Sequence, residues 1–296
     1  MPDRIVTATA ADGSFAIVAG VTTELVRETQ SRHELAPTAS AALGRLLTGA
    51  VLLGARLKGR ERFSLQVAGD GPLRGMTADV ALRSPHELAA RGYARNGAAE
   101  LPLNARGKFD VAGVVGRGHL QVTRSFEVGQ PYIGIVPLVS GEIGEDIASY
   151  LAHSEQIPSI VALGVLAGPA GIRVSGGLVA TVMPGAVERT IELLETRAAG
   201  MPSISTQIDA GAPAEALAQT LAGELELRFT GEFSVAFVCR CSRRRVERAL
   251  LGLAPDELAE MARDQKPTEA VCEYCKERYV LTREEVAGLA AQVGAG

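Results

Sequence analysis

Four cysteines restrict the folds open to this chain more than any other feature. All lie within the last 58 of its 296 residues, as a Cys-x-Cys pair (Cys239, Cys241) and a Cys-x-x-Cys pair (Cys272, Cys275) with 30 residues between them. Folding that joins two such pairs can place four thiolates tetrahedrally, about 2.3 Å from one Zn²⁺ ion. The spacing therefore predicts one zinc ion per chain, held by all four cysteines.

Spacing alone leaves the role of this site open. A permanent zinc ion that stabilises a small domain is one interpretation, and buried apolar cysteines are another, which flanking charges such as Arg240 and Glu273 disfavour. The Cys-x-Cys pair also places two sulfurs close enough to oxidise together if the backbone bends. The basic run 243–245 would hold nearby thiolates at a depressed pKa, or it is a solvated helix face.

Charge and hydropathy narrow the function classes. The N-terminus lacks the basic and apolar regions of an export signal, and Arg45 and Arg56 interrupt the longest apolar stretch, so we expect a cytoplasmic protein without a membrane anchor. The net charge is −4, and residues 239–296 carry ten basic and ten acidic side chains, which gives nucleic acid no general attraction. A zinc-ribbon nucleic-acid-binding protein stays the alternative function.

Enzymatic functions have little support in the sequence. A thiol-disulfide oxidoreductase normally carries Cys-x-x-Cys at the start of a helix after a strand, which is not the context of Cys272 and Cys275. Ser31, His33 and His153 belong to no hydrolase motif. We therefore expect no catalytic residues and no enzyme.

Residue periodicity predicts an α+β fold in three parts: an N-terminal domain of mixed sheet and helix over 1–184, a helical linker over 185–230, and a zinc-binding domain over 231–296. Phe63, Leu65 and Val67 alternate as in a half-buried strand, and a helix is predicted from Pro37. Another helix is predicted over 145–153, and strands over 73–80, 107–115, 118–128, 132–139 and 178–183.

The linker carries two apolar stripes at helical spacing. We expect the C-terminal domain, its neighbour in sequence, to bury them. Their members are Val187, Ile191, Leu194, Leu217, Leu221 and Leu225.

The cysteines lie in a distinctive sequence context, which comprises Phe237-Val238-Cys239-Arg240-Cys241-Ser242-Arg243, Arg245, Ala249, Leu250, Gly252, Cys272-Glu273-Tyr274-Cys275 and Tyr279. These residues carry a close resemblance to the redox-regulated heat-shock protein 33 family. The resemblance continues upstream in Arg32-His33, Pro37, Ala42-Leu43-Gly44-Arg45, Gly69-Asp70-Gly71-Pro72, Arg91-Gly92-Tyr93, Ser140-Gly141-Glu142, Glu145-Asp146 and Ser154-Glu155-Gln156.

The resemblance implies an ATP-independent holdase that prevents aggregation of unfolding proteins under oxidative stress. Such a protein is inactive when reduced and zinc-bound, and oxidation activates it by forming disulfides Cys239–Cys241 and Cys272–Cys275 and releasing zinc. The implied partners are unfolded clients, a second copy in an oxidised homodimer, and ATP-dependent refolding chaperones.

Overall fold

The structure, a computed structural model, describes residues 2–168, 171–264 and 266–294. Contacts between residues divide the chain into two compact units, Met1–Val238 and Cys239–Gly296, which we call the first and second units. The helical segment 185–230 groups with the first unit. The boundaries of the three predicted domains stay a prediction, while the predicted α+β class is confirmed.

A ten-stranded sheet lies at the centre of the first unit. Its strands are β1 Arg4–Ala10, β2 Phe15–Val21, β3 Arg62–Gly69, β4 Met76–Ser84, β5 Glu87–Ala94, β6 Gly118–Ser125, β7 Tyr132–Pro137, β8 Ser159–Gly168, β9 Gly171–Val182 and β10 Leu227–Phe237. They are ordered β7-β6-β3-β4-β5-β10-β1-β2-β9-β8. The last strand, β10, pairs parallel with β5 and antiparallel with β1, so it joins two groups of strands.

Seven helices are described in the first unit: α1 Thr23–His33, α2 Pro37–Gly54, α3 Val111–Val115, α4 Gly144–His153, α5 Glu188–Gly200, α6 Ile204–Asp209 and α7 Ala214–Ala222. Proline opens α2, where its missing N–H costs no hydrogen bond. Because α2 is apolar on nearly all sides, it is buried in the largest core cluster. Gly49 permits a close approach there, since a Cβ atom would lie 2.4 Å from Cδ1 of Ile147.

Helices α6 and α7 cover strands β1, β2, β8 and β9, and α5 packs against α7 and β8. Leu194, Leu217 and Leu221 are fully buried in a core cluster with Val6 and Ile17 of the sheet. The expectation that the C-terminal domain buries these stripes is therefore wrong for these three leucines, and Val187 of the same stripe is exposed. Successive residues of β1 pack into different core clusters, Ile5 into one and Val6 into the other. This part of the sheet is therefore apolar on both faces, and both faces must be covered by other elements.

Several predicted elements are confirmed, and one is wrong. Phe63, Leu65 and Val67 lie buried on β3, and the predicted helix 145–153 is α4. Residues 107–115, predicted as a strand, contain α3 instead. Asp110 caps this helix by accepting a hydrogen bond from the backbone N–H of Gly113 at 2.9 Å, which outweighs the β propensity of its valines.

The second unit is small and has little apolar core. Leu250, Leu258, Leu281 and Val286 form its described buried cluster. Its elements are α8 Arg243–Leu250, α9 Pro255–Arg263, β11 Thr268–Val271, β12 Arg278–Leu281 and α10 Arg283–Gly294. In the part of the chain that the structure describes, no helix is both long and apolar enough to cross a membrane.

Candidate metal centre

Two local structures present the cysteines. Cys239 and Cys241 lie in the short segment before α8, whereas Cys272 and Cys275 lie in the loop that joins the antiparallel strands β11 and β12. This loop is closed by two backbone hydrogen bonds, from Lys276 N–H to the Cys272 carbonyl at 2.8 Å and from Cys272 N–H to the Glu277 carbonyl at 2.9 Å. The hairpin therefore fixes the second pair by its own backbone.

All four predicted ligands converge. The sulfurs of Cys239, Cys241, Cys272 and Cys275 lie within 4.8 Å of one another. Sγ of Cys239 lies 3.6 Å from Sγ of Cys272, and Sγ of Cys241 lies 3.3 Å from Sγ of Cys275. Tetrahedral Zn–S bonds of about 2.3 Å would separate sulfurs by about 3.8 Å. The donor set thus fits a four-thiolate metal site.

Proximity changes the acidity of the thiols. Burial raises the pKa of Cys239, but hydrogen bonds from Cys241, first from its backbone and then from its side chain, outweigh burial and bring the pKa to about 7. Burial raises the pKa values of Cys241 and Cys275. Thiols this close share their protons, so one thiolate forms readily and further ones form at a cost that a bound divalent cation would offset.

The basic run beside Cys241 had two interpretations in the sequence, stabilisation of the thiolates or a solvated helix face. Arg243 pairs with Glu285 at 2.5 Å and with Glu247 at 3.5 Å, so carboxylates engage its charge. Arg244 and Arg245 are exposed on α8. The solvated helix face is therefore the better interpretation of the run.

Sequence reasoning gave no role to Tyr279. Its hydroxyl donates a hydrogen bond to Sγ of Cys241 at 3.1 Å, and this bond raises the pKa of the phenol. The available signal was its place on the strand that follows the second cysteine pair. From the sequence, Tyr279 was one of the residues that carry the family resemblance, with no role of its own.

An α+β unit followed by a small unit with four cysteines positioned to bind a metal ion defines a class of two-part proteins, and comparison with known proteins identifies the family. A family model described as Hsp33 protein matches residues 3–282. The chain therefore belongs to the Hsp33 family of chaperones, as the resemblance predicted.

Individual relatives match this chain over nearly its whole length. A protein named 33 kDa chaperonin from Synechococcus sp. (strain JA-3-3Ab) is 41% identical over 298 residues, covering 100% of this chain and 92% of the relative. A 33 kDa chaperonin from Clostridium acetobutylicum is 40% identical, covering 98% and 97%. The crystal structure of the 33 kDa chaperonin (heat shock protein 33 homolog) from Thermotoga maritima superposes with a TM-score of 0.93 at 35% identity, over 100% of both chains.

Proposed function

We propose that this protein is a redox-regulated, ATP-independent holdase that keeps unfolding proteins from aggregating under oxidative stress. One observation carries the proposal: four cysteine sulfurs lie within 4.8 Å of one another in a unit whose described buried core has only four side chains. A unit of this size is marginal without further stabilisation. Its folding and its thiol chemistry are therefore linked.

Zinc is the proposed metal, one ion per chain in the reduced form. Cys239, Cys241, Cys272 and Cys275 would hold it as thiolates, and the ion would supply the free energy that keeps the second unit folded. The cysteine side chains come from before α8 and from the β11–β12 loop, so holding them together fastens the two halves of the unit.

Oxidation is the proposed trigger. Two thiolates, one molecule of hydrogen peroxide and two protons give one disulfide and two molecules of water, so the ligands lose the electron pairs that bind the metal. We assign the disulfides as Cys239–Cys241 and Cys272–Cys275, because closing a loop within a pair costs less entropy than joining cysteines from different pairs. The family resemblance supports the same pairing.

The proposed partners follow from this role. The oxidised protein binds unfolding clients as a homodimer and passes them to ATP-dependent refolding chaperones, with no catalytic cycle of its own, in the cytoplasm. The nucleic-acid alternative gains no support, because the second unit carries equal numbers of acidic and basic side chains.

Peroxide treatment of the full chain tests the proposal. Reduced protein should hold one zinc ion and leave the aggregation of a heat-unfolded client unchanged, whereas peroxide with mild heating should release the zinc and suppress that aggregation. Mass spectrometry of proteolytic fragments should then find the two within-pair disulfides. Cys272→Ser, which removes one ligand, should severely weaken zinc binding. Suppression that is equal before and after oxidation would contradict the switch, and predominantly cross-pair disulfides would contradict the pairing.

A further inference from the structure

A hydrogen bond from Tyr279 connects the two cysteine pairs. Tyr279 lies on β12, the strand that follows Cys272 and Cys275, but its hydroxyl donates to Sγ of Cys241, which belongs to the other pair. The oxygen and sulfur are 3.1 Å apart, within the range for hydrogen bonds to sulfur. This bond therefore contributes to holding the first pair beside the second.

The surrounding structure fixes the phenol in this position. Tyr279 pairs with Ala270 in the β11–β12 ladder, so its side chain leaves the hairpin at a defined register. Nη1 of Arg243 donates to the carbonyl of Val280 at 2.9 Å, which holds the start of α8 against the same strand. The segment around Cys241 is thus attached to β12 at two points, and only the tyrosine reaches a sulfur in doing so.

A donor to a metal-bound thiolate acts in two ways. Four thiolates around Zn²⁺ carry a net charge of −2, and an O–H group pointing at one sulfur disperses part of that charge and fixes the orientation of the ligand. The same bond occupies a sulfur lone pair and lowers the reactivity of the thiolate toward electrophiles. Removing such a partner typically changes metal affinity about 10–100-fold.

We propose that Tyr279 is a positioning residue that, through its hydrogen bond to Cys241, slows metal loss from the four-cysteine site and reduces the reactivity of the Cys241 sulfur. Tyr279 thereby sets how readily the switch responds. The inference rests on the proposed function, since it assumes that the four thiolates hold zinc.

Tyr279→Phe in the reduced, zinc-loaded full chain tests the role, because phenylalanine keeps the ring and loses only the donor. The first readout is the rate of zinc transfer to a chromogenic chelator without oxidant. The second is the rate of alkylation of Cys241 by iodoacetamide, in which an S–C bond forms and iodide leaves, followed by mass spectrometry. We expect zinc transfer to accelerate about 10–100-fold, and alkylation of Cys241 to accelerate more than that of Cys272. Tyr132→Phe, the same change in the first unit, should leave both rates unchanged.

Changing the strength of the hydroxyl as a hydrogen-bond donor distinguishes this role from a packing role of the ring. A fluorinated tyrosine at position 279 keeps the hydroxyl and makes it a stronger donor, so zinc transfer should be as slow as in the unmodified protein or slower. Unchanged rates in Tyr279→Phe with one zinc ion bound would overturn the proposal. If Tyr279→Phe fails to fold, fluorotyrosine decides: faster zinc transfer with the stronger donor would also overturn it. An unmodified protein that holds no zinc would overturn the proposed function instead.

Discussion

The two units achieve stability by different means. The first buries a ten-stranded sheet between helices, with α2 in one apolar cluster and α7 in another. The second places four apolar side chains in its described core and gathers four thiols instead. Hydrophobic burial does not depend on redox state, whereas thiolate ligation does. The proposed switch therefore needs only the second unit to respond to oxidants.

Metal removal should give the largest difference between the units. Structural zinc contributes about 10–16 kcal/mol in comparable small sites, more than the second unit gains from its small core. Treating reduced protein with a strong chelator should therefore unfold the second unit and leave the first unit folded. Hydrogen exchange measured by mass spectrometry should become fast over residues 239–294 and stay slow in β1 to β10. Protection that persists in residues 239–294 would show that the apolar core suffices.

A substitution in the apolar core of the first unit should have the opposite effect to metal removal: it should destabilise the first unit and leave the zinc content of the second unchanged. Leu217→Ala in α7 removes a fully buried side chain from the first unit and should lower its free energy of unfolding by about 2–5 kcal/mol. Zinc content should stay at that of the unmodified protein. Urea denaturation with a parallel zinc assay measures both quantities. Leu193→Ala on α5 is the matched control, because Leu193 is exposed and should change stability by less than about 0.5 kcal/mol. Loss of zinc from Leu217→Ala would mean that the units are not separable.

One buried carboxyl group should make the stability of the first unit depend on pH. Asp3 is buried, and burial raises its pKa from 3.8 to about 6, against hydrogen bonds from the backbone N–H groups of Leu25 and Glu24. Because folding favours the protonated carboxyl, its contribution to stability is complete below about pH 4 and is lost as the pH rises through about 6. The shift corresponds to about 3 kcal/mol.

Asp3→Asn removes this titration. The difference in the free energy of unfolding between the unmodified protein and Asp3→Asn should therefore change by up to about 3 kcal/mol between pH 4 and pH 7, in favour of the variant as the pH rises. Urea denaturation across this range measures the change. A pH-independent difference would mean that Asp3 titrates normally, and Glu28→Gln at the exposed surface of α1 serves as the control.

Local patterns predicted much of this structure, and contacts between distant segments account for the rest. The cysteine spacing predicted the metal site because ligand chemistry fixes the types and number of side chains. Alternation predicted β3, since Phe63, Leu65 and Val67 all face the core. The stripes of α5 and α7 indicated that each helix buries one apolar face but not what covers it, because periodicity carries no information about the partner surface. The bond from Tyr279 to Cys241 joins residues 38 apart and has no local signature.

The central position of β10 has a consequence for synthesis on the ribosome. Strands β5 and β1 are made early, yet each borders β10, which reaches from Leu227 to Phe237 near the end of the first unit. At about 5–20 residues per second, translation from Ala94 to Phe237 takes on the order of 10 s, and throughout that time neither strand can pair with β10, so each leaves an edge open once it forms. Open edges are templates for pairing with other chains. Each newly made copy of this chaperone therefore passes through an aggregation-prone state of its own before the sheet closes.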